Sequence, residues 1–288
     1  MPIAQINGTT LHYRVKGSGS PILFIHPPLL EGSCFNYQLE QLSDRYQIIT
    51  FDVRGHGQSP SSNSPVTYQL LTRDIEGLMD DLEIKKAVVC GYSTASSVAL
   101  EALLAYPDRF YGGILLSGLS EVSDPFVKGI IRAFLAATSL RAKTLLTALI
   151  SFGNADSPRT FFRLYSCAKK GNLLNHKEYY QNSLTYNCTA RLKEIQAPML
   201  LLYGEKDRSF RRYAAILQKG LVNSTLRFIP NGKHQLPTKW AGPTNRLIRE
   251  WIEARPFMKK TYPAPKRQEP VHPMFEPEAE HEEPFRRL

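Results

Sequence analysis

The chain has 288 residues, of which 42% are hydrophobic and 22% charged, with 18 glycines and 20 prolines. That composition belongs to a soluble globular protein and excludes collagen, a coiled coil and wholesale disorder, and the length suits one large α/β domain with an insertion, or at most two domains. The net charge is +10, but the basic residues are dispersed, the longest runs being pairs such as Lys169-Lys170 and Arg211-Arg212. No nucleic-acid motif accompanies them, so a solvated basic surface is expected rather than a nucleic-acid partner.

No stretch approaches the roughly 18 uninterrupted apolar residues that span a bilayer. The longest candidate, 130–152, is interrupted by Arg132, Arg141 and Lys143. No membrane partner is expected. The first residues lack a basic segment followed by an apolar one, so no secretory signal is read. Cys34, Cys90, Cys167 and Cys188 are scattered without a CxxC pair or a histidine cluster, which suits neither a zinc site nor a disulfide framework. A cytoplasmic protein with reduced thiols is expected.

In chain order, residues 3–6 and 10–15 flank Asn7-Gly8 and read as a β-hairpin, since Asn-Gly tolerates positive φ. Ile22 to Ile25 is a run of four apolar residues, as a strand buried on both faces should be. A helix fits 36–42 and a strand 46–51, followed by a glycine-punctuated turn over 52–59. The spacing of Leu70, Leu71, Ile75, Leu78, Met79 and Leu82 predicts a helix over 67–82. A strand over 87–90 runs into Gly91-Tyr92-Ser93-Thr94-Ala95 and a helix to Ala105, which Pro107 closes, and 111–116 is another strand. Residues 120–195 break this alternation with helical patterns and no clear strand, and read as a helical insertion. Alternation resumes with a strand at 198–203, a helix at 211–221, a strand at 225–229 and a helix at 238–254. The predicted organisation is thus an α/β core over 1–119 and 196–256, a helical cap over 120–195 and a tail over 257–288. Residues 261–288 hold six prolines and six glutamates but few aliphatics, too little apolar surface to offset the entropy of ordering, so disorder is expected there.

The chemistry concentrates on Ser93. A serine on a sharp strand-to-helix turn is thrust above the sheet, and the turn needs small residues two before and two after it, which Gly91 and Ala95 supply. The N–H of Thr94, at a helix N-terminus, can stabilise an oxyanion. A serine is a poor nucleophile until a base takes its proton. Two elements supply that need in order: Gly204-Glu205-Lys206-Asp207, leaving a later strand, and Pro230-Asn231-Gly232-Lys233-His234, after the last one. Asp207 can orient the imidazole of His234, and His234 can reach Ser93.

These motifs, with Leu23-Phe24-Ile25-His26-Pro27 and Asp52-Val53-Arg54-Gly55-His56-Gly57-Gln58-Ser59, resemble the α/β-hydrolase superfamily over roughly residues 1–255. The resemblance implies a mostly parallel central sheet flanked by helices, with an inserted helical cap that shapes the pocket. It implies Ser93 as nucleophile, His234 as general base and then acid, and Asp207 as its orienting group. Serine at this position resembles esterases, thioesterases, lactonases and carbon–carbon bond hydrolases. The sequence departs from the pattern in two places. The elbow ends in Ala95 rather than glycine. The residue whose N–H supplies the second oxyanion donor in relatives aligns with Pro28, which has none. Either Leu29 donates instead, or a side chain or water substitutes, or the hole is weak.

Among the remaining candidates, His26 is read as structural, bonding local backbone, and His56 as a turn residue. Asp52 is expected to pair with Arg54 in their shared loop. Asp124 begins the cap and is a weaker candidate acid. Cys90 is a buried strand residue. Tyr92 and Pro28 are expected to line the substrate pocket, with packing beneath the cap as the alternative for Tyr92. Phe126, Phe134, Phe152, Phe161, Phe162 and Tyr165 of the cap are expected in its core. The function expected is hydrolysis of a small ester, thioester, lactone or related acyl compound, with no cofactor and no metal. The alternative is a ligand sensor or regulatory protein with little turnover, for which the tail offers a docking segment for a protein partner.

Overall fold

The computed structural model describes residues 2–139 and 142–255. The expected disorder of 257–288, and its use as a docking segment, lie outside the described residues.

The hairpin forms as expected. β1 (Ile3–Ile6) and β2 (Thr9–Lys16) pair antiparallel, and Asn7 and Gly8 take φ of 47° and 72°, the pair of positive values that a two-residue turn of this hand requires. β2 then pairs antiparallel with β4 (Tyr46–Phe51). β3 (Ser20–Ile25), β4, β5 (Ala87–Tyr92), β6 (Phe110–Leu116), β7 (Met199–Gly204) and β8 (Ser224–Ile229) run parallel in one eight-stranded sheet, ordered β1-β2-β4-β3-β5-β6-β7-β8.

β3, β4, β5 and β7 are buried at every position, which accounts for their continuous apolar runs. Alternate side chains feed two cores. Ile22 and Phe24 join Val88, Leu202 and Trp251 on one face, while Leu23 and Ile25 join Val89, Leu100 and Leu201 on the other. The helices α1 (Asn36–Leu42), α2 (Tyr68–Asp81), α3 (Ala95–Ala105), α8 (Arg211–Gly220), α9 (Leu236–Lys239) and α10 (Ala241–Glu253) cover the sheet. Thr67 caps α2 by accepting from the N–H of Leu70 at 3.2 Å.

The single helix expected over 238–254 is two. Pro243 explains the break. In a continuous helix it would sit in the interior, with no N–H and a ring that collides with the preceding turn. A new helix starting at Ala241 puts it in the first turn, where that N–H has no partner in any case.

Four helices lie between β6 and β7: α4 (Pro125–Ser139), α5 (Lys143–Asn154), α6 (Pro158–Ala168) and α7 (Leu173–Thr185). An isolated bridge between Glu121 and Asn187 ties the two ends of this segment together. It is held to the sheet side by polar contacts. Tyr179 Oη donates to the carbonyl of His26 at 3.1 Å, the N–H of Asn172 to that of Gly55 at 2.6 Å, and Tyr68 Oη to Ser183 Oγ at 2.9 Å. Phe134 packs against Tyr180, its ring stacked at 5.5 Å, but Phe126, Phe152 and Phe162 are exposed rather than in the core.

Candidate active site

Ser93 sits where the chain leaves the carboxyl end of β5, a central strand, and turns into α3. That end of a parallel sheet, beside the strand where the order reverses, is where open α/β folds bind ligands. Ser93 has φ of +54°, a left-handed conformation that costs a non-glycine residue about 1 kcal/mol or more. The turn is fixed by the bond from its N–H to the carbonyl of Leu116 at 2.9 Å. It is also tight. A Cβ on Gly91 would lie 2.5 Å from Ser96 Cα, so only glycine fits two residues before the serine.

Asp207 follows β7 and His234 follows β8. The structure brings both to Ser93. His234 Nε2 lies 2.9 Å from Ser93 Oγ, and His234 Nδ1 lies 2.8 Å from Asp207 Oδ2. Asp207 is 7% exposed and the imidazole 24%. With Nδ1–H donating to the carboxylate, Nε2 carries the lone pair that faces the hydroxyl. The following helix, α8, has Phe210 at its N-cap and takes no side-chain cap bond, so the Asp207 carboxylate is left to the imidazole.

Three residues flank the imidazole, of which Phe210 and Ser117 carry no sequence signal and Tyr92 is expected only as pocket wall. The ring centroid of Phe210 lies 4.2 Å from that of His234 and that of Tyr92 5.6 Å from it, and Ser117 Oγ donates to the His234 carbonyl at 3.1 Å. Tyr92 is 2% exposed, and its hydroxyl donates to Asn154 Oδ1 of α5 at 2.9 Å, so it packs beneath the inserted helices. Burial raises its phenol pKa well above the ordinary value. Asn154, like Phe210, could be found only from coordinates.

The residues after β3 form a turn. The N–H of Leu30 donates to the Pro27 carbonyl at 3.3 Å, and Leu29 has φ of +62°. Proline second and positive φ third make a type II turn, which normally takes glycine or asparagine at the third place. Leu29 is fully buried and Thr94 6% exposed, and among the described residues the backbone N–H of neither has a hydrogen-bond partner. Buried N–H groups without partners are rare.

His26 is structural as expected. Its Nε2 accepts from the N–H of Val53 at 2.9 Å, and its Nδ1 lies 3.0 Å from the Pro27 carbonyl. His56 Nδ1 lies 3.1 Å from the Arg54 carbonyl within its turn. Burial lowers the pKa of His26 to about 4 and that of His56 to about 3. The expected Asp52–Arg54 pair does not form. Arg54 instead makes a bidentate bond to Asp74, both contacts at 2.6 Å. Asp52 accepts from the N–H groups of Gly32 at 2.9 Å and Gln58 at 2.8 Å. The two residues share a loop but α2 supplies the better-placed carboxylate. Asp124 caps α4, accepting from Val127 N–H at 3.0 Å. All four cysteines are free and buried. Among the described residues no group of three or more His, Cys, Asp or Glu side chains is arranged to hold a metal ion.

Residues 22–239 match the profile of the Alpha/beta hydrolase family. The chain belongs to the alpha/beta hydrolase family. Relatives of this alpha/beta hydrolase include the human serine hydrolase BPHL, 26% identical with 86% of this chain and 84% of that protein covered. A 2-hydroxy-6-oxononadienedioate/2-hydroxy-6-oxononatrienedioate hydrolase of Pseudomonas putida is also 26% identical, over 84% of this chain and 91% of that one. Among solved structures, the enol-lactonase from Burkholderia xenovorans LB400 has the same fold, with a TM-score of 0.79 at 20% identity over 88% of this chain and all of that one. So does a thermophilic esterase from Thermogutta terrifontis, with a TM-score of 0.78 at 21% identity over 88% and 99%. This alpha/beta hydrolase is an enzyme whose relatives include hydrolases. Among its described residues no helix is long and apolar enough to cross a membrane.

Proposed function

We propose that this alpha/beta hydrolase cleaves a small ester, thioester, lactone or related acyl compound through a serine-bound acyl intermediate. The observation that carries the reading is the 2.9 Å contact between Ser93 Oγ and His234 Nε2, on an imidazole whose other nitrogen is engaged by Asp207. Ser93 Oγ attacks the acyl carbon while its proton passes to Nε2. Asp207 keeps the ring in the tautomer that can accept that proton and stabilises the imidazolium that results. The carbonyl oxygen, now negative, takes hydrogen bonds from the N–H of Thr94 and that of Leu29. The leaving alcohol or thiol takes the proton from Nε2. Water then attacks the acyl-serine, gives a proton to the same nitrogen, and the acid departs as Ser93 Oγ recovers it.

Leu29 replaces the donor that Pro28 cannot be. Its unpartnered N–H and positive φ support this assignment, because strain at a non-glycine residue is kept where the surrounding structure uses it. Pro28 itself, buried beside Leu29, and Tyr92 belong to the pocket wall in this reading.

A fluorophosphonate probe tests the nucleophile. It should label the wild-type chain and not Ser93→Ala, and the wild type should turn over short p-nitrophenyl esters. Labelling that persists in Ser93→Ala would place the nucleophile elsewhere. The missing N–H at Pro28 favours a second reading, a ligand sensor on the same fold. It predicts that the wild type binds a small acyl compound with negligible turnover.

A further inference from the structure

The outer face of the inserted helices combines exposed apolar side chains with almost unopposed positive charge. Residues 143–170, which form α5, α6 and their ends, hold five Lys and Arg residues and a single acid, Asp156, and of the five Arg159, Lys169 and Lys170 are exposed. Among the described residues, none of its basic side chains takes part in an ion pair; the ion pairs all lie outside this stretch.

On α5, Leu145, Leu149 and Phe152 are 60%, 55% and 74% exposed, and their i, i+4, i+7 spacing puts them in one stripe. The stripe continues onto α6, which packs against α5. The ring of Phe152 lies 6.5 Å from that of Phe161, which in turn lies 5.3 Å from Phe162, itself 62% exposed. A contiguous apolar patch on a soluble protein marks a contact surface.

We propose that the α5–α6 face is a docking surface for an anionic phospholipid bilayer. The charge decides between occupants. A second copy seated on the same face would set the exposed Arg159, Lys169 and Lys170 against their own copies, and the repulsion opposes association. A bilayer surface bearing anionic headgroups attracts the basic residues and accepts Leu and Phe side chains at the headgroup–acyl boundary, the pattern of helices that lie in the interface plane. The chain lies on such a surface and does not span it. This departs from the expectation of no membrane partner, which rested on the spread of Lys and Arg along the sequence. Their spread hides the absence of neighbouring acids.

Binding is read with the full chain and two kinds of vesicle, phosphatidylcholine alone and equal parts phosphatidylcholine and phosphatidylglycerol. The chain should float with the mixed vesicles at least about tenfold more strongly, and the difference should vanish when added salt cuts the Debye length to about 3 Å. Leu149→Ser with Phe152→Ser, both at exposed positions that leave the fold intact, should lower the partition by about tenfold or more. Arg159→Glu with Lys169→Glu should lower it on mixed vesicles only. Equal or absent binding to both vesicles overturns the proposal. So does an apolar pair of substitutions that leaves binding unchanged. A concentration-dependent dimer that the same apolar substitutions dissolve, without vesicle binding, assigns the face to a second copy instead. These readouts do not involve Ser93, so their outcome is separate from that of the proposed hydrolysis.

Discussion

The carboxylate of Asp207 reaches the imidazole of His234 because their two loops are bonded to each other along the backbone. The N–H of Lys206 donates to the Gly232 carbonyl at 2.7 Å, the N–H of Glu205 to the Ile229 carbonyl at 3.0 Å, and the N–H of Asn231 to Glu205 Oε2 at 2.8 Å. The two side chains meet at 2.8 Å across this junction. Replacing the carboxylate tests what that contact does. Asp207→Asn keeps the shape but offers an amide that also stabilises the wrong imidazole tautomer. Turnover should fall by up to about 10⁴-fold, with the unfolding midpoint little changed. A loss under tenfold in kcat would mean that Asp207 does not set the tautomer.

The same junction makes a second prediction. A Cβ on Gly204 would lie 2.4 Å from the Lys233 carbonyl oxygen and 2.5 Å from the carbonyl carbon of Gly232. Backbone cannot rotate away as a side chain could, so Gly204→Ala must push the two loops apart. The overpacking should cost about 1–3 kcal/mol in urea unfolding, and kcat should fall with it because the Asp207–His234 contact spans the same gap. Gly242→Ala, in the first turn of α10 with a Cβ that meets nothing within 4 Å, is the control that should lose neither stability nor kcat.

Pro28 and Leu29 separate two accounts of the oxyanion site. If the Leu29 N–H is the second donor, Pro28→Gly adds an N–H the site does not need, and kcat should stay within about threefold, far from the 10²–10³-fold that one donor is worth. Leu29→Gly keeps the N–H and relieves the positive φ, so it too should retain turnover. A rise of about a hundredfold in Pro28→Gly would instead reveal a hole that lacked its second donor.

Much of this arrangement is legible in the residues. Four-residue apolar runs mark parallel strands buried on both faces, and Ile22 to Ile25 meets that requirement on coordinates as on paper. The elbow is legible because Gly91 and Ala95 are a steric demand of the turn itself. The order of Ser93, Asp207 and His234 follows from strand ends. What escapes is whatever depends on packing between distant segments. Asp52 is the carboxylate nearest Arg54 in sequence, and only the placement of α2 brings Asp74 to it instead. Phe210 and Asn154 carry no motif, and reach His234 and Tyr92 through tertiary contact. The exposed Phe126, Phe152 and Phe162 look like core residues by hydrophobicity alone, since periodicity identifies a stripe but not what covers it.

The buried histidines and two buried acids predict how stability depends on pH. Burial lowers His26 from the usual 6.5 to about 4 and His56 to about 3, and it lowers His176, whose ring lies 4.2 Å from that of His56, in the same direction. Below pH 6.5 the unfolded chain takes up protons on these rings and the folded chain does not. Stability therefore falls as pH drops, by up to about 1.4 kcal/mol per histidine per pH unit, until the folded pKa values are reached. Glu31 works the other way. Burial, with Asp52 nearby, raises its pKa from 4.5 to about 7, so the folded chain holds a proton that the unfolded chain releases. Its contribution is present below pH 4.5 and is lost as pH rises toward 7. Burial raises the carboxyl of Asp52 in the same direction. Between pH 4.5 and 6.5 the three buried histidines oppose these two acids, and the net slope should be loss of stability with acid. Glu31→Gln removes Glu31's share of the opposing slope. In urea unfolding across pH 4.5 to 7.5, this variant should lose stability with acid more steeply than the wild type and exceed it most at pH 7.5, because its neutral amide has no proton to lose. Parallel curves for the two chains would mean that Glu31 ionises in the folded protein as it does in the unfolded one.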